Sequence, residues 1–149
     1  MKEPFVITRS YKGVSRCITT QVDLTNPSNG KTIRTQAIWD TGATASVITK
    51  KMAEDLELVS VSKGLVNTAG GVVETGCYYV DIALIGSSKC TGRFRVTECA
   101  QLSATNDIGM LIGMDIISFG DFAITNLNNQ TVMSFRAPSM GRIDFSVRK

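Results

Sequence analysis

The stretch Ala37-Ile38-Trp39-Asp40-Thr41-Gly42-Ala43-Thr44-Ala45-Ser46-Val47-Ile48 decides how the rest of the chain is read. An apolar run climbs to a single carboxylate and breaks at once into Thr-Gly-Ala, after which Val47-Ile48 resumes the apolar pattern. A short apolar run that ends in a turn signal predicts a buried strand. The carboxylate of Asp40, just past the end of that strand, falls where burial and a second acid can shift its titration. Read by itself, Asp-Thr-Gly is a turn-prone triplet that equally serves as an ordinary surface turn with an Asx cap. The flanking chain has to decide.

Upstream, residues 5–24 alternate as strands do, most clearly at Cys17-Ile18-Thr19-Thr20-Gln21-Val22-Asp23-Leu24. Asn26-Pro27-Ser28-Asn29-Gly30 is a dense turn cluster. Residues 31–39 then return as a partner strand, with Thr32, Arg34 and Gln36 on one face and Ile33, Thr35, Ala37 and Trp39 on the other. This hairpin delivers Asp40 to its loop, and Trp39 is expected in the core. Downstream, the sequence predicts a short helix over 49–56, capped by Thr49, with Ile48, Met52 and Leu56 on one buried stripe.

Residues 58–66 are mixed and read as strand or extended loop. Asn67-Thr68-Ala69-Gly70-Gly71-Val72-Val73-Glu74-Thr75-Gly76 reads as a hairpin tip, because glycine accepts the positive φ of such turns. Residues 77–85 alternate strongly and predict a strand, turned by residues 86–89 and answered by residues 92–97. Residues 102–107 form a polar loop. Met110-Leu111-Ile112-Gly113-Met114-Asp115-Ile116-Ile117 is an apolar strand running into glycine and a short helix. A hairpin around Asn128-Asn129 follows, and Ile143-Phe145-Val147 can form a final strand.

The 149 residues predict a single domain, 1–149, with a sizeable core. Hydrophobic residues make up 43% and charged residues 19%, so the chain is globular, not disordered. A net charge of +3 with scattered basic residues argues against a nucleic-acid partner. No stretch approaches the roughly twenty apolar residues of a membrane span. The N-terminal residues lack a signal-peptide pattern, so a cytoplasmic location and reduced thiols are expected. The cysteines at 17, 77, 90 and 99 include no closely spaced pair, which argues against a metal site. Histidine is absent, which removes Ser-His-Asp and Cys-His catalysis and leaves acid-base work to carboxylates.

Asp40-Thr41-Gly42-Ala43 after apolar residues resembles the active-site loop of the aspartic proteases. A single copy in a short chain resembles the retroviral-type, or retropepsin-like, branch. Leu111-Ile112-Gly113 and the helix after it resemble the family's hydrophobic-hydrophobic-Gly element, which packs beside the Asp-Thr-Gly loop. The resemblance spans roughly residues 37–120. It implies an all-β fold, a closed barrel or sandwich of short strands with one or two short helices, forming a homodimer.

The resemblance further implies that Asp40 is catalytic, with Thr41, Gly42 and Ala43 supporting its loop. It makes Thr68, Ala69, Gly70, Gly71 and Val72 candidates for the flap over bound substrate. It implies a protein or peptide substrate, no cofactor, and terminal strands shared between subunits. Two aspartates sharing one proton supply both acid and base, and a chain with one Asp-Thr-Gly obtains the second from a partner. Asp107-Ile108-Gly109 lacks the small hydroxyl residue and reads as loop. Asp23, Asp81, Asp115 and Asp121 have no such context, and Asp115 and Asp121 read as capping or solvating the helix after Gly113. Two other readings stand beside the protease: a dimeric peptide-binding or interaction module of the same fold without significant hydrolysis, and an unrelated monomeric β-barrel with a chance turn.

Overall fold

The computed structural model describes residues 3–146. In chain order the strands are β1 (Phe5–Ser10), β2 (Thr19–Thr25), β3 (Thr32–Trp39), β4 (Val47–Thr49) and β5 (Ser62–Thr68). They continue with β6 (Gly71–Ile85), β7 (Lys89–Cys99), β8 (Ile108–Ile112), β9 (Asp121–Thr125) and β10 (Val132–Ala137). Two short helices interrupt them, α1 (Lys50–Asp55) and α2 (Met114–Ile117). The fold is all-β with two short helices, as the resemblance implied.

The expected hairpin forms from β2 and β3, paired from Thr19↔Ile38 to Thr25↔Thr32. Its turn is held by Asn26, whose N–H donates to Lys31 O (2.9 Å) and whose O accepts from Gly30 N (2.8 Å). Gly30 supplies the positive φ of 76° that the turn requires. The buried Asn26 side chain also donates to Leu56 O, which pins the turn to the end of α1. That helix begins where expected, with the Thr49 hydroxyl accepting from Met52 N. Met52 and the C-capping Leu56 are buried on its inner side, and Ile48, expected on the same stripe, is buried just before the helix in β4.

Six strands close into a barrel in the order β2-β3-β8-β4-β7-β6, with β6 returning to pair with β2. Closure leaves no exposed edge among these six. Val22, Leu24, Ile48, Val80, Ile82, Val96, Met110 and Ile112 fill the interior and are almost wholly buried. Each such side chain contributes about 1.5–3 kcal/mol of transfer free energy. β6 does two jobs along its 15 residues. From Cys77 onward it belongs to the barrel, whereas residues 71–76 pair only with β5 and stand out as a two-stranded ribbon.

A second, three-stranded sheet has the order β1-β10-β9. It meets the barrel at Trp39, whose ring stacks on Phe122 (centroids 5.2 Å, 12° between planes) and tilts against Phe135 (5.1 Å). The Trp39 indole N–H donates to the Thr20 hydroxyl (2.9 Å), so the buried polar atom is satisfied. Trp39 lies in the core as expected. The outer edge of β1 rests on the turn after β6: Ser87 N donates to Val6 O (2.8 Å), and the Ser87 hydroxyl accepts from Val6 N (3.2 Å).

Two expectations are corrected. Residues 138–146 form no strand, and Ile143 (54%) and Phe145 (91%) remain exposed. β10, the strand the tail follows, already has neighbours on both sides, so the tail cannot pair with it. Val147, the last member of the expected strand, lies outside the described residues. In Asp107-Ile108-Gly109, read as loop, only Asp107 is loop; Ile108 and Gly109 open β8. No helix among the described residues is long and apolar enough to cross a membrane.

Candidate active site

β3 and β8 run parallel, with Trp39 opposite Ile112, so the two quoted motifs end side by side. Asp40 N donates to Ile112 O (2.9 Å), which extends the ladder by one bond before the chain turns. The turn closes on the carboxylate: Gly42 N donates to Asp40 Oδ1 (2.9 Å), and Ala43 N donates to Asp40 O (3.2 Å). A Cβ on Gly42 would stand 3.2 Å from Asp40 Oδ1, so glycine here keeps the carboxylate unobstructed. Asp40 and Ala43 are half-buried, while Thr41 and Gly42 are exposed.

The far side of the loop is clamped to the start of α2. Met114 N donates to Ala43 O (2.8 Å). The buried Ser46 hydroxyl accepts from Gly113 N (3.0 Å) and donates to Asp115 Oδ1 (2.7 Å), and Ser46 N donates to Asp115 Oδ2 (3.0 Å). Asp115 Oδ1 also accepts from Ile116 N (2.9 Å) within the first turn of α2, whose N-cap is Gly113, so the carboxylate serves one helix amide without capping the helix. A Cβ on Gly113 would lie 2.7 Å from Ala45 C and 2.8 Å from Ala45 O. Backbone cannot yield that much space, and only glycine fits.

Ser46 and Asp115 are the site residues that sequence reading passed over. Ser46 lies inside the decisive stretch and Asp115 two residues past Gly113, yet nothing linear announces that their side chains meet.

The electrostatic contrast among the aspartates is sharp. Arg34 and then Lys89 hydrogen-bond Asp23 and hold its carboxyl down at about 2, against the opposing effect of burial. Asp81 pairs with Arg93, and Asp55 with Lys51. Met140 N, Ser139 and Arg136 together hold Asp121 well below the usual carboxylate range. Asp121 thus ties down the tail and does not cap α2. Asp107 is lowered by the Ser103 and Thr105 hydroxyls. Asp40 alone among the described aspartates takes no hydrogen bond from a side chain; its carboxylate accepts from one backbone amide.

The five flap candidates sit together at the tip of the β5–β6 ribbon, all exposed. Gly71 takes a φ of 117°, and the Thr68 hydroxyl closes the tip by donating to Gly71 O (2.9 Å). No hydrogen bond among the described residues joins this tip to the Asp40 loop. The ribbon's root is fixed to β7: Thr75 donates to Glu98 O (2.8 Å), and the Tyr78 hydroxyl donates to Glu98 Oε2 (2.7 Å). Burial and then the Glu98 carboxylate push the Tyr78 phenol up to about 12. No group of three or more His, Cys, Asp or Glu among the described residues is placed to hold a metal ion.

Comparison with known proteins matches this architecture. A retropepsin-like aspartic protease from Rickettsia conorii aligns over 92% of this chain and 98% of its own, with a TM-score of 0.50 and 15% identity. The EIAV protease, in complex with the inhibitor HBY-793, aligns over 72% and 91% with a TM-score of 0.45 and 23% identity. The retroviral protease-like domain of Ddi1 from Leishmania major aligns over 75% and 90%, with a TM-score of 0.43 and 21% identity. No curated protein sequence matches the chain. A family model described as aspartyl protease matches residues 22–116, more than half of the chain, from inside β2 to inside α2 and with both motifs included. The chain therefore belongs to the aspartyl protease family and has the retropepsin-like fold.

Proposed function

We propose that the chain, acting as one domain over 1–149, is an aspartic endopeptidase that works as a homodimer. Asp40 of each copy meets at a two-fold axis to form one site. The observation that carries this reading is the Asp40 carboxylate itself. It is half-buried at the end of a barrel strand, held by a glycine turn, and has neither a cation nor a side-chain donor among the described residues. A like carboxylate beside it makes simultaneous ionisation unfavourable, so the pair shares a proton and titrates as a unit. The ionised member takes a proton from water as that water attacks the scissile carbonyl; the protonated member donates towards the substrate. Thr41, exposed on the same loop, is available to hydrogen-bond across the axis. The ribbon tip at residues 68–72 serves as the flap, shielding the reaction from water, and the substrate is a peptide with apolar residues flanking the cut. The chemistry requires no metal or cofactor.

The test compares wild type with Asp40→Asn on a mixed peptide library from acidic to neutral pH, with mass measured in solution. Wild type cleaves, and the nearly isosteric variant folds and dimerises but cleaves nothing. Cleavage retained by Asp40→Asn would end the proposal. Absence of cleavage by either protein would leave a dimeric peptide-binding module. A wild-type monomer that cleaves would exclude the shared site.

A further inference from the structure

We propose that the cleft between β1 and the β2–β3 hairpin binds an apolar α-amido carboxylate, the group carried by an N-acylated apolar amino acid and by the last residue of a peptide. This site goes beyond the proteolytic reading and does not rest on it. None of the residues lining the cleft belongs to the Asp40 loop or to the ribbon tip at residues 68–72.

The cleft holds about 460 Å³, a volume suited to a small ligand. β1 contributes one wall, the start of β2 with Gln36 of β3 another, and the end of β6 with the turn after it a third. The fold leaves two polar groups in this space incomplete.

The first is the Gln36 amide. Its Oε1 is buried and accepts no hydrogen bond, the one such side-chain atom among the described residues. Folded chains seldom leave a buried acceptor unmet, because it has given up water without a replacement. The second is Arg9, half-buried on the inward side of β1 with Phe5 and Ile7. One guanidinium N–H donates to Thr19 O (2.9 Å), and the group lies over the Tyr11 ring, 5.1 Å from its centroid. No carboxylate among the described residues pairs with it. Cations withdrawn from water are ordinarily matched by an acid.

These two groups define the ligand. An arginine fork without an acid fits a carboxylate, which it holds through two parallel hydrogen bonds. A buried carbonyl oxygen calls for a donor. A neutral amide N–H suits it better than an ammonium, because the surroundings are already cationic. Lys89, two residues beyond Ser87, and Arg34, two before Gln36, share the single carboxylate of Asp23. Val6, Ile7 and Ile85 give the cleft its apolar surface, which selects an apolar side chain on the carbon between amide and carboxylate. The Ser87 hydroxyl accepts from Val6 N and keeps its own proton for the carboxylate.

The experiment titrates the full chain by calorimetry with N-acetyl-leucine. Two analogues delete one group each: the methylamide lacks the carboxylate, and the N-methylated form lacks the N–H. N-acetyl-dialanyl-leucine, with a free or an amidated C-terminus, separates the two sources of the ligand. Wild type binds N-acetyl-leucine and neither analogue; tighter binding of the free-ended peptide identifies a peptide C-terminus as the occupant, and equal binding identifies the terminal residue alone. Arg9→Met weakens binding by about tenfold or more, and Gln36→Leu by about three- to tenfold. Thermal melts of unliganded Gln36→Leu match or exceed those of wild type, since the variant removes an unmet acceptor. Asp40→Asn keeps wild-type affinity. Absence of binding at millimolar probe, affinity indifferent to both cleft variants, or affinity lost in Asp40→Asn overturns the site. None of these results bears on whether the chain cleaves peptides. Should Arg9→Met misfold, Gln36→Leu and the two analogues decide.

Discussion

Gly113 and Gly70 make opposite demands on a methyl group. A Cβ at Gly113 would press on the backbone of Ala45 at 2.7 Å, whereas one at Gly70 meets only the Thr68 hydroxyl at 3.9 Å. Gly113→Ala is expected to cost about 1–3 kcal/mol of stability, read from denaturant midpoints. Gly70→Ala changes it little. Asp115 is the second residue whose role is geometric. Asn at 115 keeps the volume, but its amide nitrogen cannot accept from Ser46, so one donor of the clamp loses its partner. If Asp40 is catalytic, Asp115→Asn displaces its loop and lowers kcat by about ten- to a hundredfold with little change in KM. Steady-state kinetics on a cleaved peptide check this. Gly113 was legible in the sequence as the end of an apolar run, whereas the Ser46–Asp115 contact joins residues 69 apart and was not.

At the scale of elements, the strands that alternate cleanly were readable because one face of each is buried in the barrel. β2, β3 and the barrel half of β6 have that property, and α1 shows its stripe for the same reason. Residues 143–147 also alternate, yet residues 143–146 form no strand, because alternation reports a capacity to pair and not the presence of a partner. Which strands adjoin was likewise invisible: the parallel contacts β3–β8 and β4–β7 depend on crossovers that carry no local signal.

The β2–β3 pair carries a pH prediction. Asp23 has its carboxyl lowered from an ordinary 3.8 to about 2 in the fold. Its stabilisation is therefore complete above about pH 4 and is lost as pH falls towards 2. Thermal melts of Asp23→Asn should fall less steeply across that window than those of wild type. At neutral pH the variant loses about 1 kcal/mol, since both cationic partners are largely exposed. Tyr78 has the opposite sense: its raised titration adds stability that is complete below about pH 10 and fades towards 12, and Tyr78→Phe removes that alkaline component.

For the whole molecule, the proposed shared site couples activity to assembly. Specific activity per chain is expected to fall on dilution, and the melting temperature to rise with concentration, because association stabilises the folded form by mass action. Activity that stays proportional to concentration well below the dissociation constant would contradict the shared site. The chain's single tryptophan gives this question its own optical readout. Trp39 is 7% exposed, donates its indole N–H to Thr20, lies flat on Phe122 and immediately precedes Asp40. Its emission therefore originates at one place, where the barrel meets the small sheet, and is shielded from water. No label is needed: dilution across the assembly transition or titration with a peptide should move that one emission band, and Trp39→Phe should extinguish the signal.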